Sequence, residues 1–165
     1  MIQKFFKPQT MTEAVALKDK YRDEAVFMAG GTDVNCAASK YEIEKVIGIE
    51  QLKLNSISKT AEALSIGAGV TIQELIDSPI IPDQLTIAAE HFVNRNIRNM
   101  ATVGGNIASN HTTSNLIPIL IALDAELNLA GSGPSVFVYD YISQEMSHLI
   151  ASITISSENL KNPYG

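Results

Sequence analysis

The sequence predicts an α+β fold in two lobes, and three observations predict it. Helical and strand patterns follow one another in mixed order, without the regular alternation of a βαβα chain. Two glycine pairs about seventy residues apart, in "AVFMAGGTDVN" (25–35) and "ATVGGNIASN" (101–110), have much the same form. The composition, 45% hydrophobic and 18% charged over 165 residues, is ordinary for a globular chain able to bury a core. The expected division is a small α+β lobe over 1–55, a larger α+β lobe over 56–156 and a polar tail over 157–165.

The elements are argued in chain order. "TMTEAVALKDKY" places Thr10 three residues before Glu13, a capping-box pattern, and Ala14, Leu17 and Tyr21 then share one helical face. "EAVFMAG" reads as a strand stopped by Gly30 and Gly31, "EKVIGIE" (44–50) as a second, and "AEALSIGAG" (61–69) as a third. Thr71 and Glu74 repeat the capping box ahead of "TIQELID", after which Pro79 and Pro82 break the chain. An amphipathic helix follows from Asp83 through "DQLTIAAEHF". "NRNIRNMATVGGN" has no clean period and reads as an irregular connection. Ser114 or Asn115 can cap a buried helix through Ala122, with Pro118 tolerated in its first turn. "ELNLAGSGPSVFVYDY" reads as strand, turn, strand, and "LIASITIS" as a last strand.

Charge and cysteine count exclude several classes. Net charge is −6 and the isoelectric point about 5.0, which argues against nucleic acid or an anionic membrane as partner, since both require clustered Lys and Arg. Cys36 is the only cysteine, so neither an internal disulfide nor a thiolate-held iron–sulfur cluster can form within the chain. The N-terminus lacks the apolar region of a signal peptide, and "LIPILIALDA" is too short to span a bilayer, so a soluble, cytoplasmic protein is expected. His91, His111 and His148 have no metal-ligand spacing, and Ser114 lacks a nucleophile-elbow context. No catalytic residue and no metal site are expected.

The glycine pairs carry the functional signal. Glycine accepts positive φ and lets a ligand lie on the backbone, and successive amides in such turns form a concavity suited to a pyrophosphate. Thr32, Asp33, Thr102 and Asn106 stand beside these turns with further donors and acceptors. Such a cradle needs no lysine and accords with the acidic balance. Glycine pairs are also common hairpin turns, and spacing leaves both readings open. The G-x-G-x-x-G and Gly-Lys-Thr/Ser signatures are absent. Arg95 and Arg98 are open between phosphate contacts and surface ion pairs, and His111 in "ASNHTTSN" is open as a cleft-lining residue.

Together, "AGGTD" after a strand, "IRNMATVGGNIAS", "SNLIPILIALDAEL" and the opening "FFKPQTMTEAVALK" resemble the FAD-binding subunit or domain of the molybdenum-containing hydroxylases, which include xanthine dehydrogenase and aerobic carbon monoxide dehydrogenase. The resemblance covers roughly residues 1 to 156. It implies a two-lobed, PCMH-type fold holding FAD between the lobes. It assigns Ala29, Gly30, Gly31, Thr32, Asp33 and Val34 to the pyrophosphate, and Thr102, Gly104, Gly105 and Asn106 to the cofactor lining. The family's Ser-Asp pair becomes Ser114-Asn115, with Asn115 still able to bond a flavin-side hydroxyl. Leu149 or Ile150 takes the place of a leucine near the flavin. The family continues into a C-terminal domain beyond the point corresponding to Gly165, so the adenine–pyrophosphate side is the better preserved. The function implied is electron transfer through FAD from an iron–sulfur subunit, alongside a molybdenum-cofactor subunit, to NAD or another acceptor. The alternative is a shortened, flavin-free scaffold that keeps the fold.

Overall fold

Alternation in "SITIS" (152–156) puts Ile153 and Ile155 on one face and Ser152 and Thr154 on the other, and the computed structural model builds its larger sheet around that segment. The structure describes residues 2–35, 43–92, 94–131 and 133–161. In chain order the elements are β1 (Lys4–Phe6), α1 (Met11–Tyr21), β2 (Ala25–Met28), β3 (Lys45–Gly48), β4 (Ile57–Lys59), β5 (Ala63–Gly67), α2 (Ile72–Asp77), α3 (Asp83–Glu90), α4 (Arg95–Arg98), α5 (Val103–Ser109), α6 (Leu116–Ala122), β6 (Glu126–Leu129), β7 (Val136–Phe137), α7 (Val138–Ser143), β8 (Ile150–Ser156) and α8 (Ser157–Lys161).

The first three strands form a parallel sheet in the order β1-β3-β2. The other five form an antiparallel sheet in the order β4-β5-β8-β6-β7. In the larger sheet Leu64 faces Ile155, and Ile66 and Leu127 both face Ile153, so one face is continuously apolar. Helices α2, α3, α5 and α6 cover it with Ile72, Leu75, Leu85, Val103, Ile107, Leu116 and Leu120, all buried. On the outer face Asn128 Nδ2 donates to Ser152 Oγ (3.0 Å) and Thr154 Oγ1 (2.9 Å). A second, smaller core joins Ala14, Ala25, Ile47 and Ile49 with Ala130 and Leu149, which come from the ends of the larger sheet's strands. The mixed α+β architecture agrees with the sequence expectation.

The segment joining the two sheets is fastened to the end of β5. Gly67 N–H donates to Ser56 O (2.8 Å) and Gly69 N–H to Leu54 O (2.7 Å). A β-carbon on Gly67 would lie 2.2 Å from the Leu54 carbonyl oxygen, so only glycine admits this crossing.

Several elements differ from expectation. The Thr71–Glu74 capping box is complete, but at α1 only half forms. Thr10 Oγ1 accepts from Glu13 N (3.2 Å), while the Glu13 carboxylate turns to Gln9 N (2.7 Å). The irregular connection contains α4 and α5, each capped by a side chain: Asn94 Oδ1 accepts from Ile97 N and Thr102 Oγ1 from Gly105 N. Four and seven residues are too few to show a period. The strand expected through "VFVYDY" ends at Phe137, and α7 begins at Val138 because Val138 and Tyr141, three apart, both turn into the core. The polar tail begins as α8, held by Asn159 Nδ2 donating to Leu123 O (3.0 Å). No helix among the described residues is long and apolar enough to cross a membrane.

Candidate functional site

The two glycine segments meet. Gly30 lies against the backbone of Met100, just ahead of the second segment. Asp33 Oδ1 and His111 Nε2 are 2.5 Å apart, joining the turn after β2 to the connection between α5 and α6. Asn106 O in turn accepts from the buried Ser114 Oγ (3.1 Å). The site is thus made of the β2 turn on one side and α5 with its following loop on the other.

The two segments do different physical work. In the first, Gly31 has φ +69°, and the chain turns back so that Asn35 N–H reaches Gly31 O (3.0 Å). Among the described residues, none of the five amides from Gly30 to Val34 has a hydrogen-bond acceptor. A run of unpaired amides at a positive-φ glycine is a concave, electropositive surface. In the second segment every early amide is engaged. Val103 N donates to Val70 O, Gly104 N to Ala68 O, Gly105 N to Thr102 Oγ1 and Asn106 N to Thr102 O. Gly104 is a packing glycine: a β-carbon there would sit 2.6 Å from Ala68 Cβ. Gly105 is exposed, and a β-carbon would meet only Thr102 Oγ1, at 2.9 Å. The hairpin alternative therefore describes neither segment: the first is a turn whose amides have no acceptor among the described residues, the second the first turn of a helix.

Asn106 Oδ1 is buried without a hydrogen-bond partner among the described residues. An acceptor left so costs about 1–3 kcal/mol, and a ligand hydroxyl or amine would satisfy it. Amides without an acceptor and a buried acceptor without a donor, both among the described residues, suit a ligand that carries anionic oxygens as well as hydrogen-bond donors, as a dinucleotide does.

Other candidate residues take other places. Thr32 and Val34 are half-buried in the turn, and Ala29 leads into it. Thr102 is buried and acts as the α5 cap. Asn115 stands at the start of α6 with no capping hydrogen bond from its side chain. Leu149 belongs to the smaller core and lines a cleft of about 470 Å³ with Lys18, Arg22, Phe27 and His148. In that cleft, burial lowers the Lys18 pKa against the opposing pull of Asp23, and Lys18 Nζ donates to Arg22 O and Ala25 O. Arg98 is structural: Nε donates to Gln73 Oε1 (3.0 Å) and a terminal nitrogen to Phe92 O (3.2 Å). His91 Nδ1 contacts Ile87 O within its own helix region (2.7 Å). Cys36 lies outside the described residues. Sequence reasoning missed the Asp33–His111 contact, because the two residues are far apart in the chain and belong to no shared motif.

The chain is similar to known proteins in sequence and in fold. The chain is 37% identical over 164 residues to protein YgfM of Escherichia coli (strain K12), covering 99% of this chain and 61% of YgfM. It is 31% identical over 134 residues to the nicotinate dehydrogenase FAD-subunit of Eubacterium barkeri, covering 76% of this chain and 45% of that protein. The fold superimposes on the carbon monoxide dehydrogenase of Hydrogenophaga pseudoflava with a TM-score of 0.86 at 24% identity, over 94% of this chain and 59% of that one. The chain thus spans less than two thirds of the relatives it matches. The family model described as the FAD binding domain in molybdopterin dehydrogenase matches residues 1–155, and the chain belongs to that family.

Proposed function

We propose that this chain binds FAD and serves as the electron-transfer component of a molybdenum-containing hydroxylase. The observation that carries the reading is the run of amides from Gly30 to Val34 that have no acceptor among the described residues, set against α5 by the Gly30–Met100 and Asp33–His111 contacts. In this reading Ala29 to Val34 hold the pyrophosphate. Thr102 and Gly104 fix α5 in place so that Gly105 and Asn106 face the cofactor. Asn115 bonds a hydroxyl of the flavin side chain, and Leu149 supports the ring end.

FAD, when bound, supplies electron transfer in steps of one or two electrons, while the protein supplies position and electrostatics. With a single cysteine, residues 1–165 hold no thiolate cluster, and in this reading the iron–sulfur and molybdenum centres are those of partner subunits. In this reading FAD, held by these residues, would supply the carrier between an iron–sulfur partner and NAD or another acceptor. The membership of the chain in a family of FAD binding domains supports the cofactor assignment.

The test is the visible absorption spectrum of freshly purified protein, with release and identification of any chromophore. A flavin spectrum that releases FAD upholds the reading. A colourless protein that also takes up no added FAD overturns it and leaves a flavin-free scaffold that keeps the fold.

A further inference from the structure

An acidic chain that binds a diphosphate faces an electrostatic problem at this turn. Asp33 places a carboxylate among the very amides that would receive phosphate oxygens, and like charges at that range repel. Between Asn99 and Asn115 the only side chain able to carry positive charge is His111. Arg98, just before that stretch, spends its guanidinium on Gln73 and Phe92.

The His111 ring is brought to the turn by Asp33. His111 Nε2 and Asp33 Oδ1 lie 2.5 Å apart, a contact in which an imidazole N–H donates to a carboxylate oxygen. Nδ1 makes no hydrogen bond among the described residues. The pair is solvent-accessible, with side-chain exposures of 52% for His111 and 34% for Asp33. Ion pairs so exposed contribute little to stability. Holding the fold together is therefore a poor account of this contact.

Resting on the FAD reading above, we propose that His111 is the cationic contact for the diphosphate of the dinucleotide and that Asp33 is its positioning residue. The ring lies against the carboxylate beside these amides, where a proton on it offsets the carboxylate's charge toward the ligand. It offsets the negative charge that Asp33 brings to the turn, from a residue outside both glycine segments.

The experiment titrates FAD into the full chain by quenching of flavin fluorescence, at low and at high potassium chloride. It compares the wild type with His111→Gln and His111→Lys. Melting temperatures near that of the wild type establish that both variants fold. The expected result is a loss of affinity of roughly ten-fold or more for His111→Gln, the range for a charge-assisted hydrogen bond. His111→Lys restores most of that loss, and the salt dependence of the wild type is flattened in His111→Gln. Unchanged affinity in His111→Gln overturns the inference while leaving the FAD reading intact. So does an equal loss in both variants with unaltered salt dependence, because charge is then irrelevant. A wild-type protein that takes up no FAD fails the functional reading itself and removes this inference with it.

Discussion

A β-carbon on Gly30 would fall 1.6 Å from the carbonyl oxygen of Met100. No side-chain rotation relieves such a clash, because the obstacle is backbone. Gly30→Ala therefore pushes the β2 turn away from the start of the second segment. The expected outcome is a destabilisation of about 1–3 kcal/mol, typical of overpacking, read as a fall in urea midpoint, together with loss of FAD uptake. Retention of both stability and uptake would show that the two segments need not touch.

Gly104 and Gly105 are neighbours in sequence and opposites in environment. Gly104→Ala drives a methyl into Ala68, where Cβ and O are 2.6 and 2.9 Å away, and lowers stability. Gly105→Ala meets only the Thr102 hydroxyl, 2.9 Å away, and costs at most that cap, about 1 kcal/mol, while Gly105→Val weakens FAD binding by covering the exposed first turn of α5. Thermal melts and flavin titrations on the same preparations separate the two effects. Equal melting temperatures for Gly104→Ala and Gly105→Ala would contradict the packing argument.

Thr102 closes the start of α5 through its hydroxyl, 3.1 Å from Gly105 N. Thr102→Ala is expected to cost about 1 kcal/mol, and Thr102→Ser to recover most of it. Chemical denaturation measures both. A Thr102→Ser variant as unstable as Thr102→Ala would mean that the methyl group, not the hydroxyl, matters.

The unsatisfied Oδ1 of Asn106 makes an unusual pair of expectations. Asn106→Ala removes a buried acceptor without a partner and places a better helix former in α5. The ligand-free protein is expected to be at least as stable as the wild type, while its affinity for FAD falls. Stability and affinity moving down together would mean that Asn106 is simply structural.

Tyr141 couples stability to alkaline pH. Burial pushes its phenol from 10.0 up to about 12, and its O–H donates to His148 O at 2.9 Å. Above pH 10 the unfolded chain releases this proton while the folded chain keeps it, so the unfolded state binds fewer protons and stability falls as pH climbs toward 12. Tyr141→Phe is expected to be less stable than the wild type at neutral pH, by about 1 kcal/mol for the lost hydrogen bond, yet to lose less stability on going alkaline. Urea midpoints across that range give the comparison, and parallel curves for the two proteins would refute the assignment.

The strands with strong alternation or apolar runs, β2, β3, β5 and β8, were legible in the sequence, as were the capping residues Thr10 and Thr71. Strands β1 and β4, three residues each, were not, because so short a segment shows no period. "VFVYDY" misled through its β-branched and aromatic content, although the spacing of Val138 and Tyr141 carried the helical signal. Both glycine pairs stood out as site candidates. Their division of labour did not, since whether an amide is free or engaged depends on Ala68 and Val70, brought alongside α5 only by folding. The Asp33–His111 contact was hidden for the same reason.

The crossing of residues 54 to 56 over β5 bears on how a cofactor arrives. A hinge needs a stretch of backbone free to rotate, yet here the carbonyls of Leu54 and Ser56 are tied to Gly69 and Gly67, and Leu52 and Leu54 are packed into the smaller core. Ala130 and Leu149 reach across to complete that same core. The parallel sheet is thus a bracket bolted at two places rather than a jaw. The β2 turn and α5 are set against each other when the chain folds, so a cofactor bound by both would spend little of its binding energy on drawing them together.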